Sequence, residues 1–272
     1  MDRHVIEALG RTKVVIRDGK VVEVGRPEVD YCPLFAKVRN IQVITPEVVR
    51  ENMEFRIRDF GMCTPERKMR MKDFLSFGVS ELLGMAVDRG MLDAVVLVCE
   101  GAGTAVVSDP TLIQGIGGRV SGIVETTPIP EIIDAIGQNM VLDPKRAGID
   151  QYEGTRLAFL RGFKRIGVTV ASAADARRIR EEFGQRVAIF AVHTTGRTAE
   201  EAEMFFDTCD IITSCASKAV RDRAKEKALL QVGNKVPIYA SSLWGEMLLK
   251  VRLEMLKSSN VTAPEDPPRP LI

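Results

Sequence analysis

Ala94-Val95-Val96-Leu97-Val98-Cys99-Glu100-Gly101-Ala102-Gly103-Thr104 is the stretch that decides the fold. An apolar run of strand length is followed by small residues where a chain must turn. The same rhythm returns downstream. Ser121–Val124, Met140–Leu142, Arg165–Val170, Val187–Val192, Ile211–Thr213 and Val236–Tyr239 are further strand candidates. Helical periodicity fills most of the gaps, clearest over Ala173–Phe183, Ala199–Phe206, Ala219–Leu229 and Leu243–Leu256. Strands that are apolar throughout and separated by helices predict an α/β domain over residues 91–257, a mostly parallel sheet with helices on both faces.

Residues 1–90 read as a smaller hairpin and helical region. Lys13–Arg17 and Lys20–Val24 flank Asp18-Gly19, a pair suited to a type I′ turn because both central residues need φ > 0. Gly25-Arg26-Pro27 ends the pattern, and Tyr31-Cys32-Pro33-Leu34 is irregular. Thr45-Pro46-Glu47 starts a helix, with Thr45 as cap and Pro46 in the first turn, that should run to Phe60 and stop at Gly61. Gly61-Met62-Cys63-Thr64-Pro65 is a second loop, and another helix is expected from about Phe74 to Arg89. The region is expected to pack against the strand ends. Residues 258–272, with four prolines, read as an extended or disordered tail.

The 272 residues carry 38 Lys+Arg against 37 Asp+Glu, a net charge of +1. That balance gives no overall electrostatic case for nucleic acid or an acidic membrane. No stretch approaches the roughly 20 apolar residues of a membrane helix, and the polar start does not read as a secretory signal, so a cytoplasmic protein is expected. The five cysteines are odd in number, widely spaced and without a Cys-x-x-Cys pair, which points to reduced thiols.

In an open parallel sheet, ligands bind outside the carboxyl ends of the strands. The residues expected there are small and hydroxylated. Gly101, Ala102, Gly103 and Thr104 follow one strand, and Ser217 and Lys218 open a helix after another; together they are candidates to hold a phosphate or carboxylate. Neither Gly101–Thr104 nor Gly115–Gly118 is a P-loop or a dinucleotide fingerprint, and tight turning is the competing explanation. His193, at a strand end beside Thr194 and Thr195, is the candidate general acid/base, with a pKa near neutrality and Glu125 as its partner or as a cation ligand. His4 reads as incidental. The hairpin at the start also resembles the opening of metal-dependent amidohydrolases, but those need a His-x-His pair, and only two histidines occur. Cys32, Cys63, Cys99 and Cys215 are candidate thiolate ligands of an iron–sulfur cluster or, alternatively, zinc. Burial as small hydrophobes is the competing account, and Cys209 fits it best.

Val14–Lys20, Tyr31–Leu34, Phe60–Thr64 and Val98–Thr104 together resemble the methanogenesis marker protein 8 family over nearly the whole chain. That resemblance implies an anaerobic archaeal cytosol and a link to methane metabolism, and it supplies no reaction. It favours an accessory or maturation protein with a protein partner in methanogenesis and an iron–sulfur site. An enzyme acting on a phosphorylated or carboxylated small molecule, and a noncatalytic scaffold or subunit, are the two alternatives.

Overall fold

The computed structural model describes residues 2–73, 75–118, 122–233, 235–257 and 266–272. Its larger sheet is built from β4 (Ala94–Cys99), β5 (Gly103–Val107), β7 (Ile166–Val170), β8 (Val187–Ala191), β9 (Ile211–Thr213), β10 (Leu230–Val232) and β11 (Ile238–Ala240). The order across it is β10-β11-β9-β8-β7-β4-β5. The smaller sheet joins β1 (His4–Ala8), β2 (Thr12–Arg17), β3 (Lys20–Val24) and β6 (Gly122–Glu125) in the order β3-β2-β1-β6. The α/β class is therefore as expected, and the sheet is mixed. β4, β7, β8 and β9 pair in parallel; β5 at one edge and β11 and β10 at the other join through antiparallel pairings.

The mixture has a local cause. After β4 the chain reverses at once through Gly101 (φ 80°) and Gly103 (φ 71°), a conformation glycine adopts without a Cβ clash. So β5 pairs back on β4 in a register from Cys99↔Gly103 to Val95↔Val107. Where helices α7 (Ala173–Phe183) and α8 (Ala199–Thr208) intervene, the next strand returns parallel. Met140–Leu142 is not a strand, since only Val141 makes an isolated bridge, to Ala105. The candidate strand at 121–124 survives as β6, but it leaves the main sheet to pair with β1; Ser121 lies outside the described residues.

Side chains alternate across the parallel strands. Val96, Val168 and Ile189 point to one face, under α6 (Gln151–Leu160), α7, α8 and α9 (Lys218–Lys227); Val95, Leu97 and Phe190 point to the other, under α3 (Val79–Asp88), α4 (Pro110–Gly117) and α10 (Leu243–Met255). Both layers are closed, which is why these strands read as continuous apolar runs. The small α5 (Pro130–Ile136) packs Ile132 and Ile133 under the β4–β5 turn.

In the smaller sheet, Asp18 (φ 48°) and Gly19 (φ 68°) form the expected tight turn between β2 and β3. Ile6, Val14 and Ile16 pack against Val49 and Met53 of α2 (Pro46–Phe60). This helix matches the sequence reading at both ends: Thr45 accepts a hydrogen bond from Val48 N, and Gly61 takes φ 65°. A short α1 (Pro33–Arg39) begins at the segment read as irregular. Helix α3 starts later than expected because Gly78, in extended conformation, is its N-cap; Phe74 lies outside the described residues. Leu82 and Leu83 of α3 pack under the larger sheet, so that helix belongs with the α/β layers although it precedes residue 90.

Of the Pro-rich tail, residues 266–272 are extended and docked, and residues 258–265 lie outside the described set. Arg269 pairs with Tyr31, donating to its carbonyl at 3.0 Å and receiving its amide at 3.0 Å, while Ile272 N donates to Ala216 O at 2.9 Å.

Candidate functional site

The parallel strands end against the smaller sheet, and the space between them holds two cavities of about 320 Å³ each. Glu7 of β1 and His193, two residues beyond β8, line both and form their junction. The His193 ring packs on the backbone of β6: a Cβ added to Gly122 would lie 3.3 Å from His193 Cγ. The same residue is held at φ 54°, and Cys215, at the end of the neighbouring strand β9, at φ 44°. Non-glycine residues rarely occupy this region, and such strain clusters at functional sites.

Charge is arranged around the junction. Arg11 lies on the first cavity and Arg197 on the second. Burial, reinforced by Arg197, pushes the His193 pKa down to about 4, so the ring is neutral at pH 7. That corrects the near-neutral pKa expected from the sequence, which did not include the arginine or the depth of the site. Burial also raises the Glu7 carboxyl above its ordinary range, with Arg11 and Arg197 opposing the rise and Glu28 adding to it. A neutral imidazole and a carboxyl group held above its usual pKa are suited to hydrogen bonding and proton exchange with a ligand.

The first cavity pairs an apolar wall (Leu9, Phe35, Val38, Phe60) with Arg11, Arg39 and Arg56 and with the thiols of Cys32 and Cys215. Arg11 is anchored to Glu28 at 3.1 Å, and Arg39 lies over the Phe55 ring at 4.1 Å. Cys32 caps α1; burial raises its pKa, and the amides of Phe35 and Leu34 oppose the rise. The Cys215 carbonyl accepts from Arg221 Nη2 at 3.0 Å. The second cavity lies over the ends of β4, β7 and β8, with Thr169, Ser172 and Asp175 on its rim.

The four candidate ligand cysteines fall into two pairs. Cys32 and Cys215 line the first cavity, whereas Cys63 and Cys99 are fully buried beside the Arg67–Glu100 ion pair. Burial, with the Glu100 charge second, drives both buried thiols well above the ordinary cysteine range. Among the described residues no three or more His, Cys, Asp or Glu side chains converge as a metal site. The reason is topological: Cys63 follows α2 under the smaller sheet, while Cys215 sits past β9, on the far side of β8 from β4.

The anion cradle read at Gly101, Ala102, Gly103 and Thr104 is a buried hairpin turn. Its amides are used internally: Gly101 N donates to Thr126 Oγ1 (2.7 Å), Ala102 N to Cys99 O (3.2 Å) and Thr104 N to Gly148 O (3.0 Å). Gly103 is required by packing, since a Cβ there would fall 2.3 Å from Ala147 O. Ser217 caps α9 through Val220 N, and the amide of Lys218 donates to Ile272 O at 3.0 Å. The Lys218 side chain points to solvent and pairs with Asp222. Glu125 is exposed, bound to Arg3 and lines neither cavity, so it is not the partner of His193. His4 is fully buried, with Nδ1 2.6 Å from Thr126 Oγ1; it pins the start of β1 to the β4–β5 turn and is not incidental. Sequence reading missed Glu7, Arg11 and Arg197. The β-branched pair Val5-Ile6 was the available signal for a strand carrying Glu7.

A family described as "Uncharacterized protein conserved in archaea (DUF2099)" matches residues 4–254. A protein of Methanocaldococcus jannaschii, "Uncharacterized protein MJ0054", is 42% identical over 284 aligned positions that cover 100% of both chains. The chain belongs to this archaeal family. Among the described residues no helix is long and apolar enough to cross a membrane.

Proposed function

We propose that the protein binds a small molecule with an anionic group and an apolar body in the paired cavities, and acts on it at the Glu7–His193 junction. One observation carries this reading: two cavities at the carboxyl ends of the parallel strands share a neutral histidine and a half-buried carboxyl group, each cavity flanked by an arginine. Sites of this size, mostly apolar with a few convergent polar groups, are typical of small-molecule binding. The arginines would neutralise a carboxylate or phosphate, the apolar wall would hold its body, and His193 and Glu7 would exchange a proton with its reacting end.

The cysteine geometry does not favour a cluster, because only pairs of thiols meet. An accessory role in methanogenesis, implied by the resemblance to marker protein 8, agrees with the archaeal family and describes a setting in which such a ligand would be handled. The test is a thermal-shift screen of carboxylated and phosphorylated compounds. A true ligand should raise the midpoint in proportion to its binding, and His193→Asn should weaken it at least tenfold at pH 7. Failure of every anionic compound to stabilise the wild-type chain would defeat the proposal.

A further inference from the structure

The first cavity holds two thiols that the Glu7–His193 chemistry leaves unused. Cys32 and Cys215 both line it, and both are partly exposed. They come from distant parts of the chain: Cys32 is the N-cap of α1, and Cys215 lies two residues beyond β9. Residues 266–272 fasten the two stretches side by side, since Tyr31 is bridged to Arg269 while Ala216 O accepts from Ile272 N at 2.9 Å. Burial raises the Cys32 thiol above its ordinary range, the amides of Phe35 and Leu34 oppose the rise, and the Cys215 charge adds to it. The two sulfurs are therefore within electrostatic reach of each other. Cys63 and Cys99, by contrast, are fully buried and line neither cavity. Around the exposed pair stand Phe35, Val38 and Phe60 as an apolar wall, with Arg39 beside them. Arg39 lies over the Phe55 ring and has no carboxylate partner among the described residues.

We infer that Cys32 and Cys215 are a redox dithiol, and that the first cavity takes a small disulfide carrying an acidic group, which the pair reduces. The inference rests on the small-molecule reading above and narrows the class of ligand in that cavity. Cys215, as thiolate, attacks one sulfur of the bound disulfide. The Cys215–ligand bond forms, the ligand's own S–S bond breaks, and the first half leaves as a thiolate that takes up the proton Cys215 gave away. Cys32 then attacks the Cys215 sulfur of the mixed disulfide, closes the Cys32–Cys215 bond and expels the second half, which takes up the Cys32 proton. Two protein thiols are oxidised and one ligand disulfide is reduced to two thiols, so no other oxidant or reductant enters. Cys32 is the resolving partner because burial keeps its thiol protonated until the mixed disulfide stands beside it. The amides of Leu34 and Phe35 receive its charge as it forms. Closure needs Cα atoms no more than about 7 Å apart, so the Cys32–Cys215 bridge is the decisive product.

The test uses the reduced full chain under anaerobic conditions, dithiodipropionate as probe and hydroxyethyl disulfide as the uncharged control. Released thiol and peptide mass spectrometry are the readouts. The wild type should form the Cys32–Cys215 bridge, release two thiols per chain, and react saturably and about tenfold faster with dithiodipropionate, the worth of one charge-assisted bond. In free solution like charge slows a thiolate against that probe, so faster reaction with it measures the cavity. Cys32→Ser should stop at a mixed disulfide on Cys215 with one thiol released, and Arg39→Gln should remove most of the advantage of the charged probe. The wild-type product is readable without either variant. A wild type that stops at mixed disulfides, or forms no bridge, overturns the dithiol; stabilisation by the anionic compounds of the screen would then leave the proposed function standing. Equal rates with the two disulfides overturn the acidic substrate class. If, in addition, no anion of the screen binds, the proposed function falls with it.

Discussion

Replacing His193 by Asn removes the imidazole while retaining a residue type that tolerates φ 54°. In the folded chain the ring titrates at about 4, against the ordinary 6.5. Between those values the unfolded chain binds a proton that the folded chain refuses, so stability rises with pH across this window. The contribution is complete above pH 6.5 and lost as pH falls to 4. At about 1.4 kcal/mol per pH unit, the gap amounts to about 3 kcal/mol. Urea unfolding at half-unit steps from pH 4 to 7.5 measures it. Carboxylates that titrate in the same range act on both proteins, so the informative quantity is the difference between wild type and variant. That difference should move by about 3 kcal/mol in favour of His193→Asn as pH drops from 7 to 4. Parallel stability curves for the two proteins would refute a neutral His193 and with it the electrostatics of the junction.

Other outcomes follow from the buried groups. Arg67 and Glu100 are completely buried, and Arg67 also donates to Gly115 O and Lys68 O, both at 2.8 Å. Arg67→Met leaves a carboxylate without its counter-ion and should cost about 3–5 kcal/mol in denaturant unfolding; Arg67→Met with Glu100→Met should recover most of it, and a loss below about 1 kcal/mol for the single variant would contradict the pairing. Iodoacetamide on the native, reduced protein should label Cys32 and Cys215 and spare Cys63, Cys99 and Cys209, which are buried; peptide mass spectrometry reads this, and early labelling of Cys99 would refute the packing of β4. Phe190→Ala, in the closed face under α3 and α10, should cost about 3–5 kcal/mol by the same unfolding assay.

Local chemistry was legible in the sequence, and long-range pairing was not. The ends of α2 follow from Thr45, Pro46 and Gly61 because capping acts within a turn. The β2–β3 hairpin follows from Asp18-Gly19 for the same reason, and α7 is recovered from Ala173 to Phe183 by its apolar period. The partner of β6 is β1, more than a hundred residues away, and nothing in Gly122-Ile123-Val124-Glu125 states that preference. Without that pairing the smaller sheet cannot be placed over the strand ends. Glu7 and Arg11 then read as ordinary polar positions, although they complete the site around His193. The strand-end rule placed His193 and Cys215 on the cavity wall, but it did not foresee that the Lys218 side chain points to solvent. It failed at Gly101–Thr104 because small residues serve a reversing chain as readily as an anion, and here Ala147, Ile129 and Ile132 fill the space a ligand would need.

The chain contains two histidines, so their ring resonances can be followed separately by nuclear magnetic resonance while an anionic ligand from the screen is added. His193 should shift saturably, and its pKa should rise from about 4 as the anion binds beside it, with His4, buried against Thr126, unchanged. Ligand binding that leaves the His193 ring unmoved would contradict a functional site at the junction of the two cavities.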